Sequence, residues 1–302
     1  MVKKYTDAEI ADLRAYYEEH GVVKLTGFIE PEWVDKVLGA IDDAAARSDE
    51  PIPAGAGLSF GKADGRMTIR HQWRENPTIR EFLLNPEMAR VVAKIVGSKT
   101  LRFWFDLTFM HDGAPDGGKG AGTDWHHDIA AFAFKGEQLP SLWMAMTQAN
   151  AERSRLMFVD GSNKSVPGYY RTPGHIPPAD GSDDGYLTIP DIDAEAAAGN
   201  LSIITWDCEP GDAIILHPYV VHGASGNTGK GFAGRRVAIT TRWFGDDVRY
   251  LPTHIPTGNG LSVPRQVPGV DYNPVKVGGR PDGEYFPLVW TEDMEKSVLA
   301  AE

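Results

Sequence analysis

Apolar residues in the first hundred positions recur every three or four residues, the spacing of helices that cover a core with one face. Thr6 and Glu9 stand at the separation of a capping box, and Ile10, Leu13, Tyr16 and Tyr17 follow on one helical face until Gly21 ends the run. Val22-Val23-Lys24-Leu25 reads as a short strand closed by Gly27. Pro31 suits the first turn of a second helix carrying Trp33, Val37, Leu38 and Ile41. Residues 48–66 are rich in proline and glycine and read as a loop. Two further helical stretches are expected at 76–84 and 87–96, the second stopped by Gly97.

From Thr100 the texture changes to short β-rich runs at 101–110, 126–134, 141–148, 156–159, 201–206, 213–216 and 237–243, separated by Gly, Pro and Asp. Many short strands with such punctuation predict a sandwich or closed barrel. Long segments at 161–192 and 251–285 interrupt the pattern, and unstructured stretches of that length in a domain are usually functional. Neither has the composition of a linker. The expectation is one domain over 1–302, with a mostly helical part at 1–99 and a β core at 100–302, mainly β with flanking α-helices.

Composition narrows the functional classes. The 42% hydrophobic and 24% charged residues are globular values. A net charge of -12 repels nucleic acid and anionic membranes, so neither is expected as a partner. It also disfavours a polyanionic substrate unless a local basic pocket exists. The single cysteine, Cys208, excludes an intramolecular disulfide and a cysteine-rich metal cluster. No apolar run follows the N-terminal lysines as in a signal peptide, and none is long enough to span a bilayer, so a soluble cytoplasmic protein is expected.

The sharpest local signal is Trp125-His126-His127-Asp128. Strand alternation puts His126 and Asp128 on one face and His127 on the other. An imidazole and a carboxylate so placed can clasp one metal ion, although His-x-Asp alone is common and an ordinary strand edge is the simpler reading. A second segment shifts the balance: Gly211-Asp212, the apolar run Ala213-Ile214-Ile215-Leu216, then His217-Pro218-Tyr219-Val220-Val221-His222-Gly223. A turn, an apolar strand and a histidine beside a glycine would present a ligand at a barrel rim. Two histidines and one carboxylate form the facial triad, which leaves positions open for a bidentate oxoacid and O₂. Iron(II) is the expected metal, since a closed structural zinc site needs a fourth ligand. Fourteen residues beyond His222, Arg236 opens an apolar run to Trp243. A strand-borne arginine there suits bidentate capture of a carboxylate, with the distal carboxylate of 2-oxoglutarate the natural guest.

With these residues the chain resembles, over nearly its whole length, the phytanoyl-CoA dioxygenase (PhyH-like) family of iron(II)/2-oxoglutarate oxygenases. Trp125-His126-His127-Asp128 is similar to that family's Trp-His-Gln-Asp. Leu142-Trp143-Met144-Ala145-Met146 with Phe158-Val159-Asp160-Gly161-Ser162 is similar to its Trp-x-Ala-Leu and Pro-Gly-Ser-His stretches. The run from His217 to Gly223 looks like its distal ligand region. The resemblance implies a double-stranded β-helix (jelly-roll, cupin-like) core, iron held by His126, Asp128 and His222, Arg236 as the 2-oxoglutarate anchor, Trp143 lining the cosubstrate pocket, and O₂ as second cosubstrate. Asp160 and Asn163 depart from the family's proline and histidine. Ala224 stands where a serine often assists 2-oxoglutarate, which leaves Ser225 as the substitute. The long stretch after His222 makes Arg235 a rival to Arg236. The carboxylate of Asp128, absent from related halogenases, favours oxidation over halogenation.

Other residues carry plainer readings. His127 packs beneath its strand, and His217 is structural and the runner-up to His222 as a ligand. Asp212 and Asn227 are turn residues. Trp143 divides evenly between core and pocket. Arg242 either shares the pocket face with Arg236 or pairs at the surface with Asp246 or Asp247. Tyr169, Tyr170 and His175 form a substrate lid or simply cover the barrel mouth. The expected activity is hydroxylation of a C–H bond in a neutral or weakly charged small molecule of secondary metabolism, with 2-oxoglutarate converted to succinate and CO₂. The rival readings are a zinc-type hydrolase and a non-catalytic β-barrel binding protein.

Overall fold

The computed structural model describes residues 1–50, 58–63, 66–112, 122–165, 168–171, 185–224, 235–251, 275–283 and 285–299. Helix α1 (Asp7–His20) begins on the anticipated capping box, in which Glu9 N–H donates to Thr6 Oγ1 and the Glu9 carboxylate accepts from Thr6 N–H at 2.8 Å. It ends at Gly21, whose φ of +75° is left-handed backbone that glycine adopts without a steric cost. Strand β1 (Val22–Leu25) and helix α2 (Pro31–Ala46, proline in its first turn) follow.

The segment expected as a loop instead contains a hairpin, β2 (Ser59–Ala63) and β3 (Arg66–Arg70). Asp64-Gly65 stands between the two strands, a pair favoured in tight hairpin turns. The surrounding Pro and Gly obscured that signal, and the hairpin gains its stability by pairing β3 with the long strand β4 (Thr100–Asp112). Three helices intervene: α3 (Gln72–Glu75), α4 (Pro77–Leu83) and α5 (Pro86–Val96). The side chains of Asn76 and Asn85 cap the last two.

The remaining elements are β5 (Thr123–His126), β6 (Phe134–Lys135), β7 (Ser141–Ala145), β8 (Leu156–Val159), α6 (Ser162–Ser165), β9 (Tyr169–Tyr170), β10 (Tyr186–Leu187), α7 (Ile192–Ala197) and β11 (Ile203–Thr205). They continue with β12 (Ala213–Leu216), β13 (His222–Ala224), β14 (Arg235–Phe244), β15 (Arg249–Tyr250), β16 (Leu288–Thr291) and α8 (Glu292–Leu299). One strand expectation and one loop expectation need correction. Residues 126–134 are not one strand, because β5 stops at His126 and a 3₁₀ turn over Asp128–Ala131 precedes β6. Residues 161–192 hold α6, β9 and β10 rather than a plain loop. Most of 251–285 lies outside the described residues.

Hydrogen bonding orders the major sheet β1-β12-β7-β14-β4-β3-β2, with β16 also on β4, and the minor sheet β11-β8-β13-β5. Successive strands of the core alternate between the two sheets, so β7 and β8, and β12 and β13, are neighbours in sequence but not in a sheet. That connectivity is the double-stranded β-helix. Alternation along β14 separates two environments: Val237, Ile239 and Trp243 enter the main apolar core, while Arg236, Thr240 and Arg242 point to the opposite face. The main core also takes Val34, Val37 and Ile41 of α2, Ile79 and Phe82 of α4, and Met88 and Val92 of α5. Burial of each such side chain contributes about 1.5–3 kcal/mol. The helices therefore brace one face of the major sheet and leave the other free to carry polar chemistry. Among the described residues no helix is long and apolar enough to cross a membrane.

Candidate active site

β5 and β13 are neighbours in the minor sheet, with His126 directly opposite His222. Their imidazole rings lie 4.3 Å apart between centroids. Asp128 joins them because the backbone stays extended at His127 (φ -127°, ψ 142°), which turns His127 away and returns Asp128 to the face of His126, before a 3₁₀ segment begins at Asp128. The three offer donor atoms all within 4.8 Å of one another. Asp128 Oδ1 is 3.9 Å from His126 Nε2 and 4.0 Å from His222 Nε2. Two donors each about 2.1 Å from one ion stand at most about 4.2 Å apart, so these separations suit a shared metal.

Neighbouring atoms fix which donors are free. His126 Nδ1 lies 2.7 Å from the carbonyl of Asp124 and His222 Nδ1 lies 3.0 Å from that of Val220, so each Nδ1–H donates and each Nε2 keeps its lone pair. Burial, reinforced by His126, pushes the His222 pKa down to about 3, which keeps the ring neutral and able to ligate. Asp128 Oδ2 is engaged twice: Ser141 Oγ donates at 2.6 Å and Arg242 Nη2 at 2.9 Å. Only Oδ1 is left for a metal. Burial acts to raise the Asp128 pKa, but Arg242, His222, His126 and the Ser141 hydroxyl together hold it well below the usual carboxylate range. The strand leading to His222 is pinned by Ser162, whose Oγ donates to Val159 O and accepts from Val221 N–H, both at 2.8 Å.

The triad faces a cavity of about 100 Å³ shared with Trp143, Arg236, Arg242, Thr240 and the β4 residues Leu107, Phe109 and His111. Arg236 is 3% exposed. Its Nη2 donates to Ser154 O at 3.0 Å, its guanidinium carbon lies 5.3 Å from the Trp143 ring centre, and its Nε has no partner. No carboxylate pairs with it among the described residues, and burial pushes its pKa down to about 10. Arg235, one residue earlier and on the other face, ion-pairs with Asp42 of α2 at 2.5 Å. Ser225, Asn227 and His175 lie outside the described residues.

The other anticipated residues have structural partners. His127 is fully buried beneath the strand and accepts from Tyr170 N–H at 2.8 Å. His217 Nδ1 accepts from Tyr219 N–H at 3.3 Å, and its ring packs by Tyr17. Asp212 accepts from Gly27 N–H and Glu209 N–H in a turn, and Lys24 pairs with it at 2.8 Å. Arg242 makes neither surface pair suggested for it, because its strand carries it inward to Asp128. Sequence reading did not single out Ser141. It sits opposite Arg242 in the β7–β14 ladder, a register invisible until the strands pair.

Metal-ready donors at the open end of a double-stranded β-helix mark the iron-containing, 2-oxoglutarate-dependent dioxygenases, and this chain is an enzyme of that class. The phytanoyl-CoA dioxygenase (PhyH) family model matches residues 17–237. The chain is 24% identical to a probable phytanoyl-CoA dioxygenase of Caenorhabditis elegans over 253 residues, covering 80% of this chain and 77% of that protein. It is 21% identical to the peroxisomal phytanoyl-CoA dioxygenase of Homo sapiens over 257 residues, covering 79% and 69%. Among solved structures it resembles the epimerase SnoN in complex with Fe3+, alpha ketoglutarate and nogalamycin RO (TM-score 0.70, 21% identity, 94% of this chain and 100% of that one). It also resembles EctD from S. alaskensis with bound Fe (TM-score 0.62, 16% identity, 94% and 92%). The chain belongs to the phytanoyl-CoA dioxygenase family.

Proposed function

We propose that the enzyme oxidises, by hydroxylation, a C–H bond of a small organic substrate while 2-oxoglutarate is converted to succinate and CO₂. In this reading His126 Nε2, His222 Nε2 and Asp128 Oδ1 hold iron(II). Bound there, iron supplies the oxidising chemistry for which no side chain of the protein is suited. Arg236 receives the far carboxylate of 2-oxoglutarate, and the Trp143 ring forms the wall beside it. Arg242 and Ser141 hold Asp128 to a single ligating oxygen, so that the carboxylate does not spread over a position the cosubstrate needs. The apolar side chains of Leu107, Phe109 and Leu216 keep water from the cavity.

The observation that carries this reading is the unpaired guanidinium of Arg236 in the same cavity as the triad. Burying a cation without a counter-charge is costly, and a dicarboxylate cosubstrate removes that cost when it binds. The one carboxylate lining the cavity among the described residues is Asp128, itself a triad member, so a hydrolase would lack a carboxylate base beside the metal.

The test is anaerobic titration of iron(II) and 2-oxoglutarate followed by visible absorption, with succinate release measured separately. A metal-to-ligand charge-transfer band is expected in the wild type, absent from His126→Ala and His222→Ala and weakened in Arg236→Met. A folded, iron-loaded wild type without the band would overturn the reading.

A further inference from the structure

The face of the major sheet that looks toward the triad continues past the cavity. Register places His111 between Arg236 and Arg66, Phe109 between Ala238 and Thr68, and Leu107 between Thr240 and Arg70. Leu107, Phe109 and His111 line the cavity, so Arg66 and Arg70 stand on the same face one strand further on. The intervening Met67 and Ile69 confirm the alternation by packing on the helix-side core. Arg74 of α3 adjoins them. Burial, then Arg74 and Arg70, pushes the His71 pKa down to about 3, and burial, then Arg236 and Arg66, pushes that of His111 down to about 4.

Arg66 and Arg70 lack counter-charges, whereas Arg74 lies in the field of the buried Asp106 carboxylate and stacks on the Trp73 and Tyr285 rings. The Nε atoms of Arg66, Arg70 and Arg74 are buried without a hydrogen-bond partner, and among the described residues none of the three forms an ion pair. Elsewhere three partly buried arginines are ion-paired, Arg90 with Glu87, Arg102 with Asp282 and Arg155 with Asp207. With 42 acidic against 30 basic residues, carboxylates are not scarce. The flanking strand β2 sets Ser59 and Gly61 opposite Arg70 and Thr68, so small residues border that part of the arginine row. A sheet face bearing unpaired cations therefore adjoins the metal-binding cavity.

We propose that the Arg66–Arg70 face is the anion subsite for the substrate, and that the substrate is an organic acid or a phosphate ester. Two strand spacings separate β14 from β3, so the negative group is held roughly 10 Å across the sheet from the strand of Arg236. Guanidinium groups suit either oxyanion through paired N–H donors. This inference rests on the reading of the triad cavity as the oxygenase site. It replaces the neutral substrate that the acidic net charge suggested, since the local field opposes the global one.

The probes are decanoate, decyl phosphate and decanol, titrated calorimetrically into anaerobic enzyme loaded with iron(II) and 2-oxoglutarate. One or both anions should bind about tenfold or more tightly than decanol. Arg66→Met and Arg70→Met should each weaken that binding by about tenfold or more, Arg70→Lys by less, with decanol unchanged. The tighter anion identifies the source as carboxylate or phosphate ester. Equal binding of decanol, no binding of either anion, or anion binding unaltered in both methionine variants would overturn the proposal. The charge-transfer band separates the two failures: its presence with no anion effect refutes the subsite alone, and its absence from the wild type refutes the oxygenase reading beneath it.

Discussion

Replacing Arg242 with methionine should destabilise the metal-free enzyme more than any surface change, and the structure sets the scale. Arg242 Nη2 and Asp128 Oδ2 are 2.9 Å apart, and both side chains are 7% exposed. Removing one member of such a pair strands the other charge in a medium that cannot solvate it, which costs about 3–5 kcal/mol. The remaining hydrogen bond from Ser141 does not neutralise the carboxylate. A chain of this size loses about 2–4 °C of melting temperature per kcal/mol, so Arg242→Met should melt roughly 6–20 °C below wild type. The assay is scanning calorimetry of protein stripped with EDTA. Asp128→Asn and the double variant complete a cycle, in which the double should cost much less than the sum of the singles because the stranded charge is gone. Adding iron(II) should recover more stability in Arg242→Met than in wild type, since the dication takes over the missing counter-charge. A metal-free Arg242→Met melting within about 1 °C of wild type, or additive losses in the cycle, would refute the reasoning.

Arg236→Met should weaken 2-oxoglutarate binding roughly 10- to 150-fold, the range of a lost charge-assisted hydrogen bond, while Arg235→Met should leave it unchanged and cost under about 1 kcal/mol, because the Arg235–Asp42 pair is solvent-exposed. Equilibrium dialysis of labelled 2-oxoglutarate reads both. Acid should unfold the protein through His111, His127 and His217, whose pKa burial pushes down to about 4. Between that value and the unfolded 6.5 the unfolded chain binds more protons, so stability is intact above pH 6.5 and falls toward pH 4 by up to roughly 3 kcal/mol per histidine. Denaturant melts from pH 4 to 7 should show the slope, and His217→Asn should flatten it.

The two histidines and the aspartate were legible in the sequence because each sits at a local pattern break: a His-x-Asp pair directly after Trp125, and a histidine beside glycine at the end of an apolar run. Arg236 was legible for a similar reason, as a cation opening an otherwise apolar strand. The helices were legible from their caps, with Thr6, Gly21, Pro31 and Gly97 all acting at the expected positions. What was hidden depended on partners distant in sequence. Ser141 has no local signature, and its role arises only when β7 aligns with β14 and brings Arg242 and Asp128 to it. Asp128 follows the expected alternation, since the backbone at His127 is still extended (φ -127°, ψ 142°) and the 3₁₀ turn begins only at Asp128 itself.

The arginine row shows the same limit from another side. Arg66 and Arg70 fall in a segment whose Pro and Gly content reads as loop, and a loop gives no reason to ask which face its side chains share. Once β3 pairs with β4, the spacing of four residues becomes one face of a sheet, and that face is shared with the metal-binding cavity. Net charge, an average over the whole chain, could not have revealed it. A sheet sorts residues by parity and register, so a few cations within an acidic chain can dominate the potential at one face. The charge a substrate meets is set by that sorting, and it follows from strand pairing rather than from composition.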